Sequence, residues 1–186
     1  AADQVRLWGQ VGTRLHTQFS NVWDIDNPTL DLYQMRHIIE PHAEVFWSQA
    51  NMNKNELPIY DPEVEGIAVG PGFRVGMTNT FQTKRGGPGR WRSVDWLTIT
   101  TDFIYRSQEV DPEQPVARYF AYRPEYSTGG NHFHTELQWM VTDTFGVNGE
   151  AIYNLEDGQQ IAYWRVGATV DHTPRLRTFI NYNEIE

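Results

Sequence analysis

The residues best suited to chemistry stand in two clusters in which every second position is polar. The clusters are Glu40, His42 and Glu44, and His132, His134 and Glu136. Paired carboxylates suit general acid–base catalysis, and two histidines with a carboxylate suit a divalent metal. Successive side chains on one face of a strand lie about 7 Å apart, however, and no fourth ligand is evident. We therefore expect hydrated strand faces with no catalytic residue, no metal and no cofactor.

Arginines extend this polar set. Their planar guanidinium groups bind phosphate and carboxylate, so they are candidates for contact with an anionic substrate. They equally suit cross-strand pairing with Asp102, Glu136 and Glu150. If the polar face lines a lumen, the candidate contacts with substrate are Arg6, Arg14, Arg36, Glu40, His42, Arg74, His134, Glu136 and Arg165.

Two further segments of the chain are rich in glycine. Gly86-Gly87-Pro88-Gly89 has the glycine content of a phosphate-binding loop, but Pro88 and the lack of a following helix indicate a hairpin connection. Gly70, Gly72 and Gly76 fall on the polar face of one strand, where they predict bending or close packing of another group.

The elements that position these residues are strands. Apolar and polar residues alternate with period two along most of the chain, most regularly from Val5 to Phe19. The short connections between strands predict an antiparallel meander, because parallel strands need long crossovers. Pro41 predicts a bulge or an unpaired register. Val94 and Trp96 break the alternation and predict a bulge or a strand end. We predict an all-β fold of about nine long strands and no helix, in residues 3–19, 33–51, 69–84, 97–106, 116–126, 133–141, 145–155, 162–171 and 176–182.

Composition narrows the function classes. The 186 residues are consistent with a single segment, 1–186, without a second domain. The net charge of −9 argues against a nucleic-acid partner, which requires a concentrated basic surface. Without cysteine the chain has no disulfide, thiol nucleophile or cysteine-ligated metal.

The alternation of apolar and polar residues is compatible with two arrangements of the sheet. In a soluble sandwich or barrel the apolar face is inside, whereas in an outer-membrane barrel it contacts lipid and the polar face lines a wet lumen. Strands of about 16 residues exceed the five or six that are usual in globular sheets. Aromatic residues also gather near the predicted strand ends, as in the girdles of membrane barrels. These residues are Trp8, Trp23, Phe46, Trp47, Trp91, Tyr105, Tyr153 and Trp164.

Three motifs resemble the C-terminal barrel of the LptD family, the lipopolysaccharide-assembly proteins once called organic solvent tolerance proteins. The first is Arg36-His37-Ile38-Ile39-Glu40-Pro41 at the start of a strand. Leu57-Pro58-Ile59-Tyr60-Asp61 follows in the next loop, and then Val75-Gly76-Met77-Thr78-Asn79-Thr80-Phe81-Gln82 in the next strand. The resemblance covers residues 35–103, and elsewhere only the hairpin pattern supports it.

This resemblance implies a wall segment of an outer-membrane β-barrel in the Gram-negative envelope. Its function would be to deliver lipopolysaccharide to the outer leaflet without covalent chemistry. The implied partners are lipopolysaccharide, an LptE-like plug lipoprotein, the periplasmic Lpt bridge proteins and membrane lipid. We expect interior strands of a larger barrel that lack both closing strands, and we assign no gate residues.

Two alternatives remain at this stage. One is a soluble, secreted β-sandwich or barrel that binds carbohydrate through exposed Trp and Tyr. The other is a barrel hydrolase that uses Glu40 or the cluster from His132 to Glu136.

Overall fold

The computed structural model describes residues 5–52, 69–106, 131–155 and 161–185. They form nine antiparallel strands with one short 3-10 turn, Pro28–Leu30. The predicted all-β meander is therefore confirmed. The strand predicted at residues 116–126 lies outside the described residues. The strands are β1 (Trp8–His16), β2 (Phe19–Asn27), β3 (Leu32–Ala50), β4 (Gly70–Arg85), β5 (Arg92–Arg106), β6 (His132–Met140), β7 (Phe145–Asn154), β8 (Ile161–Thr173) and β9 (Leu176–Ile185).

All nine strands belong to one sheet. From β3 to β9 each strand pairs with the next along the chain, and β1 and β2 both pair with β3. Within the described strands, β1 and β2 form one edge, β9 forms the other, and the sheet is not closed into a barrel.

The first predicted strand is wrong in its bounds, because two strands lie along β3 where one was expected. The ladder of β1 ends with His16 opposite His42, and that of β2 begins with Phe19 opposite Ile39. Pro41 lies at the break and has no N–H to donate, whereas its carbonyl accepts a bond from the Thr17 amide at 3.2 Å. The unpaired register predicted at Pro41 is thus confirmed.

A bulge interrupts the ladder between β4 and β5 near the start of β5. Phe81 pairs with Leu97, but Gln82 pairs with Asp95, so Trp96 is the extra residue. Of the two outcomes predicted from the break in alternation, a bulge or a strand end, the structure has the bulge.

From β3 to β8 the polar face is the more buried one. On this face Asp102 is 1% exposed and Glu150 is 5% exposed, and the apolar side chains of Ile104 and Ile152 are buried beside them. On the opposite face, Val75 is 50% exposed and Val45 is 62% exposed. The strands at the two edges, β1, β2 and β9, are exposed on both faces. We call the buried polar face, which carries His42, Asp102 and Glu150, the inner face, and we call the opposite one the outer face.

The two ends of the sheet differ in their connections. At one end, the turn end, strands are joined by residues 28–31, 86–91, 141–144 and 174–175. At the other, the loop end, β3 is joined to β4 by residues 51–69 and β5 to β6 by residues 107–131.

Candidate functional site on the inner face

Asp102 of β5 is the centre of a buried ionic cluster. Its Oδ1 lies 2.6 Å from His42 Nε2 on β3, and its Oδ2 accepts a bond from Arg74 Nη2 on β4 at 2.5 Å. The carboxylate thus joins three strands. A buried charge is costly unless it is paired in this way.

Glu150 of β7 forms the equivalent cluster on the next three strands. Its Oε1 lies 2.8 Å from His134 Nε2 on β6, and its Oε2 lies 2.6 Å from Arg165 Nη2 on β8. The other ring nitrogen of His134 lies 3.9 Å from Asp102 Oδ2. Polar side-chain contacts therefore run across six consecutive strands, from β3 to β8.

Glycine makes the contact between His42 and Asp102 possible. Both residues are in register with Gly76, which separates them on β4. A Cβ at Gly76 would come within 1.9 Å of Asp102 Oδ1 and 2.8 Å of His42 Nε2. The predicted close packing over the polar-face glycines is confirmed at this position, where the packed groups are two side chains of the same sheet.

The same arrangement recurs on β8. Asn148 Nδ2 donates to Asn181 Oδ1 at 3.3 Å, from β7 to β9, across Gly167. A Cβ at Gly167 would lie 1.7 Å from Asn181 Oδ1. Neighbouring strands lie about 4.8 Å apart, so each contact spans two such spacings and indicates a sheet that curves toward its inner face.

Two shallow depressions gather six of the nine candidate contact residues. One depression, of about 320 Å³, is lined by Arg14, Glu40, His42 and Arg74 together with their neighbours. The other, of about 330 Å³, includes Glu136 and Arg165. The structure thus brings these residues together in two groups along the inner face.

The other three candidates lie outside these depressions. His134 lies between the two carboxylate clusters. Arg36 is exposed near the turn end, where Nη2 lies 3.4 Å from Ser20 Oγ. Arg6 is half-buried and precedes β1.

The residues of the two spacing clusters also contact partners outside their own cluster. His134 contacts Glu150 rather than Glu136, whose Oε1 accepts a bond from Gln138 at 3.0 Å. Arg14 Nη2 pairs with Glu44 Oε2 at 2.8 Å. Within the described ranges, no three His, Asp or Glu side chains are grouped so that they could hold a metal ion.

Sequence reasoning missed two parts of this arrangement. Asp102 and Glu150 were expected as pairing partners but were not included among the candidate contacts. Arg85 falls between the predicted strands 69–84 and 97–106, yet it is the last residue of β4 and is fully buried. Its position beside a predicted hairpin connection did not indicate burial.

The described strands define a class of protein: a curved antiparallel sheet with a buried, ion-paired polar face and an exposed apolar face. No protein-family model matches the chain, and no curated protein matches it. In the part of the chain that the structure describes, no helix is long and apolar enough to cross a bilayer.

Replacing Gly76 by alanine tests the contact across β4. The new Cβ would displace the Asp102 carboxylate from His42, so we expect Gly76→Ala to lower the free energy of unfolding by about 3 kcal/mol. Equilibrium denaturant unfolding measures this loss. Gly9→Ala is the control, since a Cβ at Gly9 meets nothing within 4 Å. Equal effects of the two substitutions would contradict the packing argument.

Neutralising Asp102 tests the ionic cluster itself. Asp102→Asn leaves Arg74 and His42 facing an amide, so we expect a loss of about 3–5 kcal/mol in the free energy of unfolding. Asp95→Asn is the control, because Asp95 is exposed and accepts from Gln82 at 2.7 Å. We expect the control to change stability by less than about 0.5 kcal/mol. An Asp102 variant as stable as the control would show that the cluster adds nothing.

Proposed function

We propose that this chain forms part of the wall of an outer-membrane β-barrel and that the barrel delivers lipopolysaccharide to the outer leaflet without covalent chemistry. The observation that carries the proposal is the burial of charged side chains on one face while large apolar side chains stay exposed on the other. Soluble monomers rarely expose a continuous apolar surface of this kind.

The exposed side chains fit contact with hydrocarbon. Seven large apolar residues on the outer face of β1, β3, β4 and β8 are at least 42% exposed. They are Val11, Leu15, Val45, Trp47, Val75, Met77 and Val166. A membrane barrel requires an outward apolar band of this type, which alternates with polar residues facing the lumen.

Strand length and connections also support a membrane wall. About 9–11 tilted residues cross a bilayer, and β4, with 16 residues, exceeds that length. Outer-membrane barrels have short periplasmic turns and longer extracellular loops. By this rule the turn end faces the periplasm, and the loop end, with residues 51–69 and 107–131, faces the exterior.

Aromatic side chains lie near both ends of the outer face. At the turn end, Tyr33 and Trp91 stack with their ring centroids 4.4 Å apart, and both are partly exposed. At the loop end, Phe73 stacks on Tyr105 at 5.2 Å. Such rings mark the two lipid–water interfaces in membrane barrels.

The lipopolysaccharide assignment derives from the sequence motifs that resemble the LptD family. The inner face supports it through arginines beside the two depressions, since guanidinium groups bind phosphate. Arg14, Arg74 and Arg165 are each paired with a carboxylate. An anionic substrate would therefore contact a wall of alternating charges rather than an unpaired cationic surface. The LptE-like plug and the periplasmic bridge proteins belong to this proposal.

A charge on the outer face distinguishes lipid from water as its solvent. Met77 is 42% exposed near the middle of β4. In a bilayer, we expect Met77→Arg to lower the free energy of unfolding by about 2–4 kcal/mol, because arginine is costly near the midplane. Denaturant unfolding in lipid vesicles measures this change.

The adjacent residue supplies the matched control. Thr78 points to the inner face opposite Glu40, so Thr78→Arg should change stability by less than about 1 kcal/mol. If Met77→Arg is as mild as Thr78→Arg, water covers the outer face, and the proposal of a membrane wall is wrong.

Photo-crosslinking tests the substrate. Leu137 and Gln138 are neighbours on β6 that point to opposite faces. With a photoreactive residue at position 138 we expect a crosslink to lipopolysaccharide in cells, whereas at position 137 we expect crosslinks to phospholipid. If lipopolysaccharide is crosslinked at neither position, the transport proposal is contradicted. The membrane location would still be tested separately, by the arginine substitutions at Met77 and Thr78.

A further inference from the structure

We propose that the boundary between β5 and β6 is a conformational joint, which side chains from three strands hold closed. The boundary separates β1–β5 from β6–β9. This inference does not depend on the proposed function, because it rests on strand pairing and side-chain contacts alone.

Backbone pairing is shorter at this boundary than on the other side of β5. The ladder between β4 and β5 runs along nearly the whole of both strands, from Gly72 opposite Arg106 to Arg85 opposite Arg92. Among the described residues, the ladder between β5 and β6 includes residues 97–104 and 132–139. Because β6 ends at Met140, residues 92–96 of β5 extend past the end of its ladder.

Side chains bridge the boundary where this ladder stops. Arg85 Nη2, at the end of β4, donates to the carbonyl oxygens of Met140 at 3.1 Å and Val141 at 3.0 Å. Asp143, in the turn after β6, lies 3.4 Å from Arg85 Nη1 and 2.5 Å from Arg92 Nη2. We call Arg85, Arg92 and Asp143 the turn-end cluster.

The contact of Arg85 depends on the closed arrangement. Its side chain is fully buried, and Nε also lies 3.2 Å from Asp31 Oδ2. If β6 moved away, the guanidinium would lose two carbonyl partners and one carboxylate. A buried charged group that loses such partners is costly, so the cluster stabilises the closed boundary.

A second bridge crosses the same boundary at mid-height of the inner face. His134 of β6 contacts Glu150 on its own side and lies 3.9 Å from Asp102 on β5. The groups that face this imidazole are therefore Asp102, with Arg74 and His42 behind it, and Glu150, with Arg165 behind it. On its own strand, Glu136 follows at the next inner-face position.

Acid should weaken the turn-end cluster. Burial raises the pKa of Asp143, but hydrogen bonds and charge from Arg92 and Arg85 outweigh it, and the net shift is downward. A carboxylate with a lowered pKa in the folded state contributes stability above its unfolded pKa of 3.8 and loses it as the pH falls below that value. We expect amide exchange in residues 141–144, corrected for intrinsic rates, to become faster below about pH 4. Exchange that does not depend on pH in this turn would contradict the expectation.

Hydrogen exchange of the folded full-length protein tests the joint. We expect Arg85→Gln to accelerate exchange at least tenfold for amides bonded between β5 and β6, with little change for amides bonded between β4 and β5. Asp143→Asn is the milder second variant, to be used if Arg85→Gln fails to fold. For this variant we expect exchange to become at least threefold faster for the amides bonded between β5 and β6, again with little change between β4 and β5. Asp95→Asn is the control, since it removes a contact between β4 and β5 at the same end of the sheet.

Selective acceleration at the boundary between β5 and β6 would support the joint. An equal acceleration of all ladders would show that the cluster stabilises the whole sheet and would overturn the proposal. No acceleration in Asp143→Asn would overturn it as well, because the boundary would then remain closed without the cluster.

Discussion

The need to pair two buried carboxylates is the constraint on which the rest of the sheet depends. Asp102 and Glu150 are almost inaccessible to solvent, so each requires cationic or hydrogen-bonding partners within the protein. These partners come from both neighbouring sides: from β3, β4 and β6 for Asp102, and from β6 and β8 for Glu150. A slip of one residue in any of these ladders would turn a partner to the opposite face. The carboxylates therefore stabilise the register as well as the fold.

The need to pair the buried Asp102 carboxylate also explains the glycine at position 76 and the curvature of the sheet. His42 reaches Asp102 only because Gly76 leaves the space above β4 empty, and Asn148 reaches Asn181 only across Gly167. Contacts over two strand spacings are favoured when the inner face is concave. The outer face is then convex. The side-chain contacts on the inner face and this curvature thus belong to one arrangement.

The sequence was sufficient to predict the features that arise from local pattern. Alternation and short connections predicted an antiparallel meander, which the pairing from β3 to β9 confirms. Pro41 predicted a bulge or a break in pairing, and Val94 and Trp96 predicted a bulge or a strand end. The pattern did not predict that two short strands lie along β3 where one was expected. Nor did it predict the burial of Arg85, whose partners come from a turn more than 50 positions away. Contacts that depend on the register between strands far apart in the chain cannot be predicted from the local sequence pattern.

Chain connectivity explains why side chains are needed at the boundary between β5 and β6. Residues 86–91 join β4 to β5 and residues 141–144 join β6 to β7, whereas residues 107–131 separate β5 from β6. The boundary between β5 and β6 therefore lacks the short turn that joins the strands on either side of it. Among the described residues its ladder also has fewer pairs than the one between β4 and β5. The buried guanidinium of Arg85 and the imidazole of His134 add side-chain contacts across this boundary.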